Sequence, residues 1–450
     1  MLPRMRRRRV AVVGAGAAGL TAAIRAAEGG AQVTLLNAHP RIGLKILMSG
    51  GTRCNVTHRE VDARDYNGGS HPFVARILRA FTPAETIEWM TSLGVKLKLE
   101  DTGKYFPESD DAETVLDALL AAVGNAGVDV RYGARVVRLE RAGEWSASGR
   151  CEGVAGAWRL GVQHVAGSAA FGAGVRAMGA QRWPLPDVAV DEWIEADAVI
   201  LATGGLSFPR TGSDGTGYAL AMALGHTIVP PIPALTPLAA SDPLCASCQG
   251  VTLPAALTLR VNGKVIERTS GSFLFAHFGY SGPAALDLSR HWLRAEGERR
   301  VTASFVPGMA AEALEREWTD AAKAEPRLSA RRFLARHMPD SLAAALATEA
   351  GVEPAKWISQ VDRARRAALI ARVAVREMPI TGTLGYEKAE ATAGGVTLSE
   401  VDASTLESRK APGVYLCGEM LDVEGRLGGF NFQWAWSSGT VVGRCAGRMS

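Results

Sequence analysis

Three glycines near the start of the chain have the spacing of a phosphate-binding loop. Gly14, Gly16 and Gly19 follow the order G-x-G-x-x-G, after a β-branched run at residues 10–13 and before an Ala-rich segment ending at Glu28. A strand, such a loop and a helix direct backbone N–H groups and the positive end of the helix dipole at one point, which suits a pyrophosphate. The sequence therefore predicts a dinucleotide-binding loop made of Gly14, Ala15, Gly16, Ala17, Ala18 and Gly19.

Asn37 stands at the end of the next predicted strand, residues 32–36. An acidic residue about 20 residues beyond the loop ordinarily binds the adenosine ribose hydroxyls. Asparagine can hydrogen-bond a hydroxyl without charge, and it is also a common turn residue. Both roles, ribose ligand and turn residue before Pro40, are compatible with the sequence.

Four later segments favour flavin adenine dinucleotide (FAD) among the dinucleotides. Residues 41–57 combine the cations Lys45 and Arg53 with a glycine pair that lets backbone approach a phosphate or a ring. Residues 128–137 form a predicted strand–turn–strand that can present backbone to an adenine. Residues 198–205 and 413–419 are predicted buried strands that end in Thr-Gly-Gly and Gly-Glu, and a second glycine pair with a helix follows the last of them.

The same segments carry a family resemblance that extends over most of the chain. The most specific motifs are Ser49-Gly-Gly-Thr-Arg-Cys-Asn55, Ala202-Thr-Gly-Gly205, His277-Phe-Gly-Tyr-Ser-Gly-Pro283 and Gly428-Gly-Phe-Asn-Phe-Gln-Trp-Ala435. With them the chain resembles bacterial two-domain FAD-binding flavoproteins of the glutathione-reductase-like superfamily, which include bile-acid-type 3-oxo-steroid reductases and aminoacetone-oxidase-like enzymes. The resemblance implies an α/β fold in which a Rossmann-like FAD-binding domain carries an inserted second domain. Asn37 departs from the acidic residue of the family pattern.

The resemblance also assigns the flavin contacts. The Glu419 carboxylate is expected to accept hydrogen bonds from the ribityl hydroxyls, and the helix after Gly429 to direct its N–H groups at the flavin. Beyond the glycine loop, the expected cofactor-binding residues are Asn37, Gly43, Lys45, Ser49, Gly50, Gly51, Arg53, Cys54, Asn55, Arg135, Val136, Ala202, Thr203, Gly204, Gly205, Gly418, Glu419, Gly428, Gly429, Phe430 and Asn431.

Two residues of the resembling motif at 277–283 could transfer a proton. His277 is the first choice, because the ordinary pKa of histidine suits transfer near neutral pH, and Tyr280 is the second. A structural role for the histidine stays open. Flavin chemistry can also proceed with neither, since the cofactor carries the hydride and the protein orients it.

The elements that position these groups divide the chain into two predicted domains. The FAD-binding domain comprises residues 1–228 and 375–450, and residues 229–374 form the inserted substrate or cap domain, its β part before its helical part. Thr82-Pro-Ala-Glu85 predicts a capped helix start, and Asn262-Gly263 predicts a hairpin turn. Residues 112–125 are expected to be helical, residues 134–200 to form a three-stranded flap with a surface loop at 143–179, and residues 230–237 to form a Pro-rich turn.

Composition narrows the class of protein further. With 450 residues, 47% hydrophobic and 21% charged, the chain is not disordered or disulfide-stapled. Five arginines in the first nine residues exceed the net charge of +4, so the remainder sums to −1 and no nucleic-acid partner is expected. The loop glycines behind this arm argue against a signal peptide, and the six dispersed cysteines suit a cytoplasmic protein. Cys245-Ala-Ser-Cys248 has no second ligand pair nearby, so no metal site is expected.

These observations predict a FAD-dependent oxidoreductase that transfers a hydride between flavin N5 and a small organic substrate. If the bile-acid-type resemblance carries the function, the reaction is reduction of an activated C=C with NAD(P)H as a transient donor. If the aminoacetone-type resemblance does, it is oxidation of an amine by O₂. The hypothesis from another class is an RNA-binding or RNA-modifying flavoprotein, which the arginine arm suggests.

Overall fold

The computed structural model describes residues 6–142, 158–167 and 188–448. The chain divides into two compact units. The first comprises Met1–Ile232 and Glu390–Ser450, and the second comprises Pro233–Ala389.

The secondary structure alternates strands and helices in the first unit and separates them in the second. The strands are β1 (Arg9–Val13), β2 (Gln32–Asn37), β3 (Thr57–His58), β4 (Tyr66–Gly68), β5 (Leu97–Leu99), β6 (Lys104–Pro107), β7 (Asp129–Tyr132), β8 (Ala134–Arg141), β9 (Trp158–His164), β10 (Glu192–Ala196), β11 (Ala198–Leu201), β12 (Ile228–Ala234), β13 (Leu238–Ala240), β14 (Thr252–Val261), β15 (Lys264–Ala276), β16 (Gly279–Ser281), β17 (Arg299–Ser304), β18 (Arg376–Glu377), β19 (Ile380–Thr383), β20 (Ala391–Val396), β21 (Val414–Leu416) and β22 (Val423–Gly425). The helices are α1 (Ala17–Glu28), α2 (Leu44–Met48), α3 (His71–Ala80), α4 (Pro83–Ser92), α5 (Ala112–Asn125), α6 (Thr216–Ala223), α7 (Leu244–Ser247), α8 (Pro283–Arg294), α9 (Ala311–Ala324), α10 (Ala330–Leu334), α11 (Asp340–Glu349), α12 (Arg363–Ala374) and α13 (Phe430–Gly447).

A parallel sheet with the order β21-β11-β1-β2-β7 organises the first unit. Its central strand β1 is almost wholly buried, as expected of a parallel strand covered on both faces. Since parallel strands end at one edge, β1, β2, β11 and β21 bring the segments after Val13, Asn37, Leu201 and Leu416 together. This confirms the predicted Rossmann-like architecture.

Helices α1 and α13 lie in close contact because α13 presents a stripe of glycines. Gly439, Gly443 and Gly447 face Ala18, Ala22 and Ala26 in the same order along both helices. A Cβ added at Gly443 would lie 2.6 Å from the Ala22 carbonyl oxygen. The two helices therefore run in the same direction, at a separation that only glycine permits at these positions.

Several local predictions are confirmed in the first unit. Helix α4 begins after Thr82, which forms a capping box with Glu85, and α5 spans the predicted residues 112–125. Strands β8, β9 and β10 form the predicted antiparallel flap. The surface-loop expectation for 143–179 is wrong for β9, the central strand of that flap. Residues 143–157 and 168–179 lie outside the described residues. The turn expected at residues 230–237 is wrong for residues 230–234, because they belong to β12, which pairs with β20 as a two-stranded ribbon that can accommodate proline. Residues 235–237 connect β12 to β13.

The second unit is built on a seven-stranded sheet with the order β18-β17-β14-β15-β16-β13-β19, whose paired neighbours are antiparallel. Asn262 and Gly263 join β14 to β15 with φ values of 50° and 81°, the positive values that the predicted hairpin turn requires. Helices α9 to α12 lie in the segment expected to be helical. This unit ends at Ala389, later than residue 374, because β18 and β19 complete its sheet.

A buried polar cluster ties the elements of the second unit together. The Asp242 carboxylate accepts two hydrogen bonds from the Arg376 guanidinium, at 2.7 and 2.9 Å, and a third from the Tyr280 hydroxyl. Asp242 has a fully buried side chain, and Arg376 is 7% exposed. Arg376 also contacts Glu349 at 3.3 Å, so the cluster joins α11, β16 and β18 to the segment before α7.

We expect the Arg376→Ala variant to lose about 3–5 kcal/mol of unfolding free energy, because it leaves the Asp242 carboxylate buried without its cation. Tyr280→Phe removes one hydrogen bond and is expected to cost only about 1 kcal/mol. Urea unfolding followed by circular dichroism measures both. The control is Arg331→Ala, which breaks the exposed pair with Asp340 and should leave the midpoint nearly unchanged. Equal losses in all three variants would contradict the role assigned to the cluster.

Candidate functional site

The three loop glycines each have a distinct steric environment. Gly14 has a φ of 102°, and a Cβ there would lie 2.5 Å from the Ala202 carbonyl oxygen. A Cβ on Gly19 would lie 1.8 Å from the Gly14 carbonyl oxygen, so the helix cannot approach the loop with any larger residue. Gly16 precedes α1 without a side-chain cap, and a Cβ there would have no atom within 4 Å. The open space lies at the helix N-terminus, where a pyrophosphate is favoured.

Asn37 supports this loop through its side chain. Its carbonyl oxygen accepts a hydrogen bond from the Ala15 N–H at 3.2 Å, and its amide nitrogen donates to the carbonyl oxygens of His39 and Arg41 at 2.6 and 3.1 Å. These contacts favour the structural role over ribose binding. A ribose contact by Asn37 stays a prediction.

Lys45, Ser207 and Glu419 form a three-membered polar cluster at the edge of the parallel sheet. The Lys45 Nζ donates to Glu419 Oε2 at 2.7 Å and to Ser207 Oγ at 2.8 Å, and Ser207 Oγ donates to Glu419 Oε1 at 2.6 Å. Residues separated by 374 positions thus meet, since Lys45 lies on α2 and Glu419 follows β21. A carboxylate has about four acceptor positions, so capacity remains for ligand hydroxyls.

This cluster keeps the Glu419 carboxylate ionised. Partial burial opposes the charged form, but the Lys45 charge and the hydrogen bonds from Lys45 and Ser207 outweigh it and hold the pKa of Glu419 below its ordinary value. The side chain is 20% exposed, so it remains within reach of a ligand.

The Thr-Gly-Gly segment after β11 packs directly on this cluster. A Cβ on Gly205 would lie 2.4 Å from the Thr392 hydroxyl and 2.9 Å from the Glu419 carboxylate. Thr392 accepts hydrogen bonds from the N–H groups of Leu206 and Ser207, at 2.7 and 3.0 Å. Sequence reasoning missed Ser207 and Thr392. Ser207 follows the motif by two residues and could have been found, whereas nothing in the local sequence of β20 marks Thr392.

The cation of the segment at 49–55 contacts protein groups. The Arg53 guanidinium pairs with Glu100 at 2.7 Å and Asp110 at 3.3 Å and lies 4.0 Å from the centre of the Phe106 ring. These contacts favour a structural role, and a cofactor contact by Arg53 stays a prediction. Cys54 is fully buried, and burial raises the pKa of its thiol to about 12, so it is not a thiolate.

Asn55 has an unsatisfied buried oxygen next to the start of α13. Asn55 is 8% exposed, and within the described residues its side-chain oxygen has no hydrogen-bond partner. A Cβ on Gly429, the residue before α13, would lie 2.8 Å from that oxygen. An orphaned buried acceptor is costly unless a ligand or water satisfies it. Asn431 instead holds Gly425, at 2.8 Å from its N–H and 2.9 Å from its oxygen.

Phe430, the first residue of α13, packs against two side chains outside the helix. Its ring stacks on His58 at 4.9 Å and lies beneath the Arg426 guanidinium at 4.5 Å, and Phe430 is 1% exposed. Among the residues that the structure describes, no side chain caps α13, so the first N–H groups of this helix are available next to Gly429. Trp434 donates its ring N–H to the Gly418 oxygen at 3.1 Å, which identifies it as a core residue.

Four more of the predicted cofactor-binding residues lie on α2, β8 and the turn after β21, or directly beside them. Gly43 directly precedes α2 and has a φ of 69°, and a Cβ on Gly418 would lie 2.9 Å from the Ala18 methyl group. Arg135 pairs with Asp214, and Val136 is buried, so β8 offers its backbone rather than its side chains at this point.

The two proton-transfer residues lie in the second unit and differ in exposure. His277 is exposed in the turn between β15 and β16. Tyr280 is fully buried, and burial together with its hydrogen bond to Asp242 raises its pKa above the ordinary value. These contacts favour a structural role for Tyr280 instead of the expected proton donation. His277 as proton donor stays a prediction.

The residues present fit a dinucleotide with an isoalloxazine end. The open position at Gly16, the ionised Glu419, the orphaned Asn55 oxygen and two uncapped helix N-termini all belong to the first unit. Over the described residues, no cluster of three or more His, Cys, Asp or Glu side chains could hold a metal ion. In the same residues, no helix is long and apolar enough to cross a membrane.

Comparisons with known proteins agree with this geometry. A family described as the HI0933-like protein Rossmann domain matches residues 8–155 and 174–445. The chain is 34% identical over 443 residues to a 3-dehydro-bile acid delta(4,6)-reductase of Clostridium scindens, covering 97% of this chain and 98% of the relative. It is 30% identical over 430 residues to a ribosomal RNA dihydrouridine synthase of Escherichia coli, covering 95% of each chain.

Solved structures are more distant. A 3-ketosteroid-delta4-(5alpha)-dehydrogenase of Rhodococcus jostii RHA1 is 14% identical, with a TM-score of 0.43 and coverage of 99% of this chain and 97% of that chain.

Substitutions in the glycine loop should separate flavin binding from folding. We expect Gly16→Val to fold but purify without FAD, because its side chain occupies the open phosphate space and no protein group opposes it. Gly19→Val should fail to fold, because its Cβ would clash with the Gly14 carbonyl oxygen. Flavin absorbance per protein and thermal unfolding measure the two effects. A Gly16→Val protein that retains stoichiometric FAD would contradict the site.

The Lys45→Met variant should make flavin affinity depend on pH. Without the Lys45 charge, partial burial of Glu419 raises its pKa, and protonation then removes acceptor capacity as the pH falls. The wild-type carboxylate, whose pKa is depressed, stays ionised throughout the range of about pH 8 to 5. The dissociation constant of FAD, measured by fluorescence across this range, should rise toward low pH in Lys45→Met only. Lys323→Met, which changes an exposed lysine of the second unit, serves as the control. A pH-independent constant in Lys45→Met would refute this account.

Proposed function

The chain belongs to the HI0933-like Rossmann family and is a FAD-dependent oxidoreductase; from this premise we propose that it reduces a carbon–carbon double bond conjugated with a carbonyl, in a substrate of the 3-oxo-bile-acid type. The observation that carries the proposal is the 34% identity to the bile-acid reductase along nearly the full length of both chains. NAD(P)H is proposed as the transient electron donor.

The proposed chemistry assigns separate tasks to the residues of the first unit. FAD, when bound, supplies the hydride from N5. The Lys45–Ser207–Glu419 cluster would hold the ribityl hydroxyls, and the open position at Gly16 would admit the pyrophosphate. The uncapped N-terminus of α13 would stabilise negative charge on the reduced ring, since its N–H groups are unpaired by side chains.

Proton delivery completes the reduction, because hydride addition at one carbon leaves negative charge on the carbonyl side. We assign His277 to protonate the neighbouring carbon, since it is exposed and Tyr280 is buried. The assignment is part of the proposal.

A uridine in RNA is a second candidate substrate. The relative of Escherichia coli carries the name ribosomal RNA dihydrouridine synthase, and so does one of Haemophilus influenzae, at 30% identity over 429 residues. Uridine has a C5=C6 double bond conjugated with its C4 carbonyl, and dihydrouridine lacks that double bond. The two candidates therefore share one reaction type and differ in the molecule that carries the double bond.

The proposal is tested by anaerobic mixing of the purified yellow enzyme with NADH or NADPH. We expect the flavin absorbance to bleach, and to return on addition of a 3-oxo-Δ4,6 bile acid, with the saturated product found by mass spectrometry. Unmodified ribosomal RNA, digested and analysed for dihydrouridine, tests the second candidate in parallel.

The controls separate the alternatives. Bleaching by an aminoacetone-type amine without NAD(P)H, with recovery in O₂ and no reduction of either double-bond substrate, would replace the proposal with amine oxidation. Gly16→Val supplies the flavin-free control. In His277→Ala, flavin reduction by NAD(P)H should be unchanged and product formation slowed, and an unchanged turnover would remove His277 from the proposal.

A further inference from the structure

Outside the N-terminal arginine arm, the basic charge of this protein is concentrated in one part of the second unit. Pro233–Ala389 contains 20 Lys and Arg against 16 Asp and Glu. Residues 327–372 contain nine of these cations and four of the acids. The charge of −1 for the chain without its arginine arm averages over this asymmetry. Within the arm itself, Arg9 is engaged by Glu195 and Asp197 at 2.8 and 2.9 Å.

Two backbone segments bring part of this charge to an exposed aromatic ring. Ser329 and Trp357 form an antiparallel bridge. The Ala330 N–H donates to the Lys356 oxygen at 2.9 Å, and the Ile358 N–H donates to the Leu328 oxygen at 2.8 Å. The start of α10 and the segment around Trp357 are therefore held side by side.

Trp357 is the centre of what we call the tryptophan patch, formed by Arg327, Arg331, Arg332, Lys356 and Trp357. The Trp357 side chain is 41% exposed, and the Arg327 guanidinium lies 5.8 Å from its ring centre.

The cations of the patch are only partly neutralised. Arg331 pairs with Asp340. Within the described part of the chain, Arg332 and Lys356 take part in no ion pair. This holds although Glu353 lies only three residues before Lys356 and accepts a hydrogen bond from its backbone N–H. Positive charge beside an accessible ring is the combination that binds single-stranded nucleic acid, because bases stack on the ring and phosphates pair with the cations.

We propose that the tryptophan patch binds single-stranded RNA, with one base stacked on Trp357 and adjacent phosphates held by Arg332 and Lys356. The second unit would thereby contribute an RNA-docking surface. The proposal concerns binding alone and holds whichever double bond the enzyme reduces.

The chain supplies a matched control for the aromatic residue. Trp193 on β10 is 42% exposed and lies under Arg159 at 4.4 Å, so it reproduces the exposed tryptophan–arginine pair. Its neighbours on β10, Glu192 and Glu195, pair with Arg131 and Arg9, and Arg159 is itself paired with Glu140. The charges around Trp193 thus neutralise one another and offer phosphates little net attraction, so Trp193 should not contribute to RNA binding.

The test uses the full-length FAD-loaded protein and a fluorescein-labelled oligouridine, with binding followed by anisotropy across a salt series. Trp357→Ala should weaken binding about tenfold, consistent with the loss of one stacked base. The Arg332→Ala/Lys356→Ala double variant should reduce the slope of log affinity against log salt by about 1.4, since each single-strand phosphate contact contributes about 0.7. Trp193→Ala should bind as the wild type does.

The outcomes distinguish RNA binding at the tryptophan patch from general binding of polyanions. No binding by the wild type at low salt, an equal loss in Trp193→Ala, or full affinity in Trp357→Ala would overturn the patch. If heparin binds as tightly as RNA and loses nothing in Trp357→Ala, the surface is a general polyanion site and the stacking contact is refuted. Flavin content and melting temperature should match the wild type in every variant. A wild-type protein that reduces the bile acid and does not bind RNA would refute the patch and leave the proposed function supported. A wild-type protein that binds RNA through Trp357 and does not reduce the bile acid would refute bile-acid reduction and leave the patch supported.

Discussion

The site of the first unit depends on the close contact between α1 and α13. Glycine at three successive turns of α13 lets its backbone approach the alanine face of α1, to a distance at which a Cβ on Gly443 would lie 2.6 Å from a carbonyl oxygen. Because α13 begins nine residues before this contact, its first turn extends beyond the start of α1. The parallel strands β1 and β21 bring the glycine loop and the late Gly418-Glu419 turn to the same edge, although the two turns lie about 400 residues apart, and α13 side chains hydrogen-bond Gly418 there.

Electrostatics then determines what this edge can hold. A carboxylate that is 20% exposed would be destabilised by burial, and the adjacent Lys45 reverses that effect. The cluster is nearly neutral overall and still offers hydrogen-bond acceptors, which suits hydroxyls better than phosphates. In the proposed site, the negative phosphates would instead meet backbone N–H groups at the uncapped start of α1. The proposal thus assigns the phosphates to a positive helix end and the hydroxyls to a nearly neutral cluster.

The charged groups of the second unit form two sets, one buried and paired and the other exposed and only partly paired. The Asp242–Arg376 pair is buried and satisfied, so it contributes to cohesion and is closed to ligands. The cations around Trp357 lie at the surface and are only partly paired. A net charge calculated over the whole chain hides this difference, because it counts a neutralised buried arginine and an exposed unpaired one equally.

Much of the fold could be predicted from the sequence because the signals are local. The glycine spacing, the Thr82 capping box and the Asn262-Gly263 turn depend on residues within a few positions, and the resemblance placed Glu419 and the Gly428-Gly429 pair near a flavin. The tertiary structure alone decided the roles that depend on distant partners. It showed that Asn37 supports its own loop, that Arg53 is held by Glu100, and that Tyr280 is buried against Asp242. It also added Thr392, which no local pattern marks. The physical reason is that a side chain's charge state and freedom depend on what folding places within hydrogen-bond distance, and sequence spacing does not fix that distance.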